Sequence, residues 1–222
     1  MGKTVQGTAA DGHGFSIYRA EPAGTPRGAL VIVQEIFGVN IHIRAVCDDY
    51  AAEGYVAVAP ALFDRVERSI ELGYQTDDIA AGRAIREKIS LKEALADIQA
   101  AASEAAGAGR IGVVGYCWGG TVAWVAATRS RTFAAAVSYY GGGVPELADE
   151  QPNCPVQLHF GEQDHAIPLS GVDRLKAAHP ELPIHIYPAG HGFNCDQRAS
   201  YHAESARLAR ERTLAFLRAH VG

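Results

Sequence analysis

Six apolar runs, each the length of one strand, recur along this 222-residue chain and constrain its fold more than anything else. They are Ala29–Gln34, Tyr55–Ala59, Arg110–Val114, Ala134–Tyr139, Val156–Phe160 and Ile184–Tyr187. A continuous run, rather than an alternating one, suits a strand covered on both faces. Helical patterns fill most of the gaps, at 41–53, 75–88, 90–106, 121–127 and 169–178, and 200–219 closes the chain. Ser90, with Glu93 three residues on, reads as a capping box. Strand-helix alternation predicts an α/β fold with a mostly parallel central sheet and helices on both faces. Thr4–Thr8 and Phe15–Arg19, around Asp11-Gly12-His13-Gly14, read as a hairpin before it. No repeat or linker divides the chain, so a single domain over residues 1–222 is expected.

Bulk properties exclude several classes of function. Net charge is −5, from 20 basic and 25 acidic residues, and gives no electrostatic case for nucleic acid. No apolar run approaches the roughly 18 residues a membrane span needs. The start has no apolar signal segment, and the four cysteines, Cys47, Cys117, Cys154 and Cys195, form no C-x-x-C pair. The expectation is a cytoplasmic monomer with free thiols and a small-molecule substrate, without cofactor or metal.

Chemistry concentrates at predicted strand ends, where ligands of such sheets bind. Gly115-Tyr116-Cys117-Trp118-Gly119-Gly120 lies between a strand and a helix. A Gly-x-Cys-x-Gly there has the form of a nucleophile elbow with sulfur in place of the usual serine oxygen. The turn is so tight that glycine is needed on both sides. Cysteine attacks as thiolate, so Cys117 needs a base or a positive field. A helix N-terminus supplies part of it.

Of nine histidines, His191 stands out, since it follows the last strand between Gly190 and Gly192. His159 falls inside a strand, and His42, His179 and His202 in helical segments. Asp164, just past the penultimate strand, fits the carboxylate that would orient His191, with Glu162 and Asp173 as competitors. The order Cys117, Asp164, His191 is that of α/β-hydrolases.

The chain resembles the dienelactone hydrolase family. The motifs that carry the resemblance are Gln34-Glu35-Ile36-Phe37-Gly38, the elbow, Gly161-Glu162-Gln163-Asp164 and Ala189-Gly190-His191-Gly192-Phe193, in the expected order. The resemblance implies an α/β-hydrolase fold and a Cys-His-Asp triad acting on lactones and related esters, as in carboxymethylenebutenolidase. It implies that Glu35 contacts the resting thiol until substrate turns the thiol towards histidine. It also places the oxyanion hole at the backbone N–H groups of Ile36 and Trp118, and the general architecture of such elbows agrees.

Departures bear on the substrate. Family members hold the dienelactone carboxylate with arginines, one of them three residues beyond a histidine-serine pair. Here Gly192 takes the serine place and Cys195 that arginine place. Arg83 is the nearest candidate for the second arginine, and Arg198 a substitute for the first. Ala61 stands where aspartate is common. Phe37, Phe63, Trp118, Tyr139 and Tyr140 are candidate cleft-wall aromatics, with Phe37, Phe63, Arg83 and Tyr140 expected to touch substrate. Three rivals stay open: a carboxylesterase or thioesterase of the same family, a non-catalytic binding protein, and a peroxide-reactive thiol with Cys195 as its partner.

Overall fold

The computed structural model describes residues 2–222. Two strands, β1 (Lys3–Thr8) and β2 (Gly14–Ala20), form the expected hairpin. The chain then alternates. β3 (Gly28–Val33), α1 (Ile41–Ala52) and β4 (Tyr55–Pro60) are followed by α2 (Thr76–Arg86) and α3 (Leu91–Ala105). Next come β5 (Ile111–Tyr116), α4 (Trp118–Arg129), β6 (Ala135–Tyr139), β7 (Val156–Gly161), α5 (Leu169–Ala178), β8 (Ile184–Tyr187) and α6 (Ala203–His220). All eight strands join one sheet in the order β1-β2-β4-β3-β5-β6-β7-β8. Pairings from β4 onward are parallel, and those of β1 with β2 and of β2 with β4 are antiparallel.

Every residue of β3, β4, β6 and β7 is buried. Side chains of a strand alternate between faces, so full burial means both faces are covered. α1 packs on β2 to β4, α3 on β3 and β4, α4 on β5 and β6, and α6 on β6 and β7. Element ends follow local chemistry. Asn40 caps α1 by accepting from the Ile43 N–H, and the Ser90–Glu93 box caps α3. α6 starts at Ala203, not 200, because His202 is its cap and accepts from the Ser205 N–H.

The strand order positions the site. From β3 the chain moves outward to β4, then returns to place β5 on the other side of β3. Connections leaving the carboxyl ends of β3 and β5 therefore diverge and open a crevice between them, the switch point of an open α/β sheet. Glu35 and Ile36 follow β3, and Cys117 follows β5.

Candidate active site

The elbow is a steric construction. Cys117 has φ 56° and ψ −117°, a left-handed conformation rare outside glycine. A Cβ on Gly115 would lie 1.8 Å from the Gly119 carbonyl oxygen, and one on Gly119 2.3 Å from that of Val33. Those two glycines let α4 start directly over β5 and β3. The Cys117 N–H donates to the Tyr139 carbonyl at 3.0 Å, fixing the turn to β6.

Three strand ends deliver three side chains to one line. Cys117 Sγ lies 3.1 Å from His191 Nε2, and His191 Nδ1 lies 2.7 Å from Asp164 Oδ2. The second Asp164 oxygen accepts from the Ala166 N–H at 2.9 Å, so the carboxylate cannot swing away from the imidazole. Its competitors Glu162 and Asp173 are exposed. Burial works against a charged imidazole, yet negative charge on Cys117, reinforced by Asp164, lifts His191 to about 10. Tyr140 packs edge-on against this ring, 5.1 Å between centroids.

Cys117 and His191 face a cleft of about 460 Å³, also lined by Ile36, Phe37, Trp118 and Arg198. Arg83 and Arg86 of α2 line it too, and Arg86 escaped the sequence reading. α2 lies close because of Gly82, where a Cβ would sit 1.9 Å from the Ile36 carbonyl oxygen. The Ile36 N–H has no protein acceptor among the described residues. Trp118 is the first residue of α4, where backbone N–H groups lack intrahelical partners.

Two expected substrate contacts are corrected. Phe63 is buried beneath Trp118, 6.0 Å between ring centroids, and does not line the cleft. Tyr140 is fully buried and lies behind the imidazole rather than in the cleft. Both sit where the backbone turns their rings into the core. The expected contact of Glu35 with the thiol is also replaced. Among the described residues the hydrogen-bond partner of Glu35 is Arg198, whose Nη1 donates to Oε1 at 2.9 Å, while the thiol's is His191.

Arg198 itself answers a departure seen in the sequence. Its guanidinium lies over Phe37 and Tyr74, 5.6 and 6.0 Å from their ring centroids. A Cβ on Gly192 would fall 2.5 Å from Arg198 Nη1. Glycine in the serine place thus makes room for an arginine three residues beyond Cys195. Cys195 is buried, and burial first, then Glu35, pushes its thiol up to about 11. A thiol held protonated in this way reacts slowly with peroxide.

A sheet with this crossover, an elbow over its switch point and three strand-end groups in line define an α/β-hydrolase. The family model of the dienelactone hydrolase family matches residues 15–221, and the chain belongs to that family, among hydrolases of ester and lactone bonds. It is 37% identical over 210 residues to a Synechocystis sp. protein provisionally named carboxymethylenebutenolidase, covering 85% of each chain. With the carboxymethylenebutenolidase of Pseudomonas putida it shares 34% identity over 219 residues, 93% of this chain and 92% of that one. Among solved structures, a Klebsiella pneumoniae protein provisionally named a dienelactone hydrolase gives a TM-score of 0.82. That match has 32% identity and covers 96% of this chain and 98% of the other.

Proposed function

We propose that Cys117 is the nucleophile of a lactone or ester hydrolase. The Cys117–His191–Asp164 line, with contacts of 3.1 and 2.7 Å at the mouth of the cleft, is the observation that supports it. Sulfur adds to the substrate carbonyl, and the oxyanion forms against the N–H groups of Ile36 and Trp118. Donors of this kind contribute about 3 kcal/mol each to the transition state. His191 gives its Nε2 proton to the leaving alkoxide, and the ester C–O bond breaks to leave a thioester on Cys117. A water then loses its proton to His191 and attacks the thioester, releasing acid and thiolate. Asp164 holds the imidazole in orientation and balances its charge. Glu35 acts through Arg198, which it holds at the cleft wall.

The cleft favours an acid substrate. Arg198, Arg83 and Arg86 line it against Glu87 and Glu146, so the reading is a lactone or ester carrying a carboxylate away from the scissile bond. The test is turnover of dienelactone and of an uncharged aryl acetate by wild type and Cys117→Ala. Cys117→Ala is expected to lower kcat by about 10³-fold or more on both. Undiminished turnover by the variant sinks the nucleophile assignment. Equal KM for charged and uncharged substrates sinks the anion-binding assignment alone.

A further inference from the structure

Beside the cleft, a second group of buried side chains has no part in the hydrolytic line. Glu35 comes from the segment after β3, His42 from the first turn of α1, and Cys195 from the loop after β8. One Glu35 oxygen, one His42 nitrogen and the Cys195 sulfur lie within 4.8 Å of one another. Two polar atoms of these residues are orphans. Glu35 Oε2 and His42 Nε2 are buried and have no hydrogen-bond partner among the described residues, although their residues are only 1% and 4% exposed. Burying a polar atom without a partner is costly, because the hydrogen bonds it made to water are not replaced. Two such atoms in residues that share one buried space with a thiol are an arrangement that a cation would relieve.

We propose that Glu35, His42 and Cys195 form a binding site for a thiophilic divalent transition-metal ion of the zinc class. The donor set is one carboxylate oxygen, one imidazole nitrogen and one thiolate sulfur, the mixture that such ions take. Tetrahedral zinc, with bonds of about 2.0–2.3 Å, sets its ligand atoms about 3.4–3.7 Å apart. The observed spread closes to that by side-chain adjustments of about 1 Å. Three protein ligands leave a fourth position for water.

The surroundings fit as well. His42 Nδ1 lies 3.3 Å from Asp196 Oδ1. A carboxylate on the far nitrogen of a ligating histidine fixes its tautomer and raises its basicity. Loading deprotonates a coordinating thiol outright. Glu35, the Cys195 thiolate and Asp196 then carry three negative charges, against three positive charges on Arg198 and a divalent ion. His42 and Asp196 also line a separate cavity of about 260 Å³ between α1 and α6, a route that does not pass through the cleft.

The experiment removes the competing thiol–imidazole pair first. Cys117→Ala protein is titrated with cobalt(II), and zinc(II) is then added to displace it. The expected result is a thiolate-to-cobalt charge-transfer band that saturates at one ion per chain and disappears on zinc addition. Adding Cys195→Ser should abolish the band. Adding His42→Gln should weaken cobalt binding by at least about 100-fold, and adding the exposed Asp196→Asn about tenfold. Far-UV circular dichroism verifies that each variant is folded, and Asp196→Asn gives the answer where a buried substitution disrupts the chain. A band that never forms, that survives Cys195→Ser, or whose affinity ignores both His42→Gln and Asp196→Asn overturns the proposal.

Discussion

At Cys117 the backbone carries a cost that local glycine chemistry makes bearable. Its φ of 56° is unfavourable for any residue with a Cβ, and glycine is the one exception. Glycine normally destabilises relative to alanine because it frees the unfolded chain. Here the order should reverse, with Cys117→Gly more stable than Cys117→Ala by about 1 kcal/mol in denaturant unfolding. The reverse ranking would show that the elbow is not strained. His191 gives a second prediction at this scale. It is held at about 10, above its ordinary value near 6.5, by Cys117 first among the groups that raise it, against burial. Its contribution to stability is therefore complete below about pH 6.5 and is lost as pH rises towards 10. The His191 titration followed by NMR should move downward in Cys117→Ala, and an unmoved midpoint would rule out the pairing of charges. The elbow was legible in the sequence because its requirement is steric and local. Arg198 was only half legible. Gly192 makes room for its guanidinium through a contact between residues six apart, and no short motif encodes that.

Elements matter through how closely they approach. α2 reaches the cleft because Gly82 faces the Ile36 peptide, where a Cβ would meet the carbonyl oxygen at 1.9 Å. Gly82→Ala should improve the intrinsic propensity of α2 by about 1 kcal/mol and yet push the helix off that peptide. If Ile36 supplies an oxyanion donor, kcat should fall by about tenfold to 100-fold, since a displacement near 1 Å has that effect. Unchanged kcat alongside normal thermal stability would remove Ile36 from the proposed hole. The helix itself was readable from 75–88, and its caps trimmed it to Thr76–Arg86. Its partner was not readable, because helical periodicity reports which face is apolar and not which loop that face meets. The same limit explains Phe63 and Tyr140. Both lie beside strand ends as expected, but the local backbone turns one ring beneath Trp118 and the other behind His191.

Across the whole molecule, one half-buried cation joins three distant segments. Arg65, just after β4, donates to both oxygens of Asp97 in α3 at 2.8 and 2.7 Å. It also lies 2.9 Å from Asp11 in the β1–β2 turn. Asp97 is fully buried, so Asp97→Ala would leave the Arg65 charge without its main partner. Asp11 at 2.9 Å and Glu93 at 3.8 Å still face the guanidinium, so a loss of about 1.5–3 kcal/mol is expected in chemical unfolding, and a loss under about 0.5 kcal/mol would contradict this account. By itself, the sequence determined the strand-helix alternation, the parallel sheet and the identity of Cys117, Asp164 and His191 as strand-end groups. Those follow from local rules: apolar periodicity, capping and the steric demand of one tight turn. Tertiary structure alone decided that Arg198 pairs with Glu35, that Gly82 seats α2 on Ile36, and that Glu35, His42 and Cys195 share one buried space. Each of those unites segments far apart in the chain, and their distances are set by how the sheet stacks its connections, which no local pattern contains.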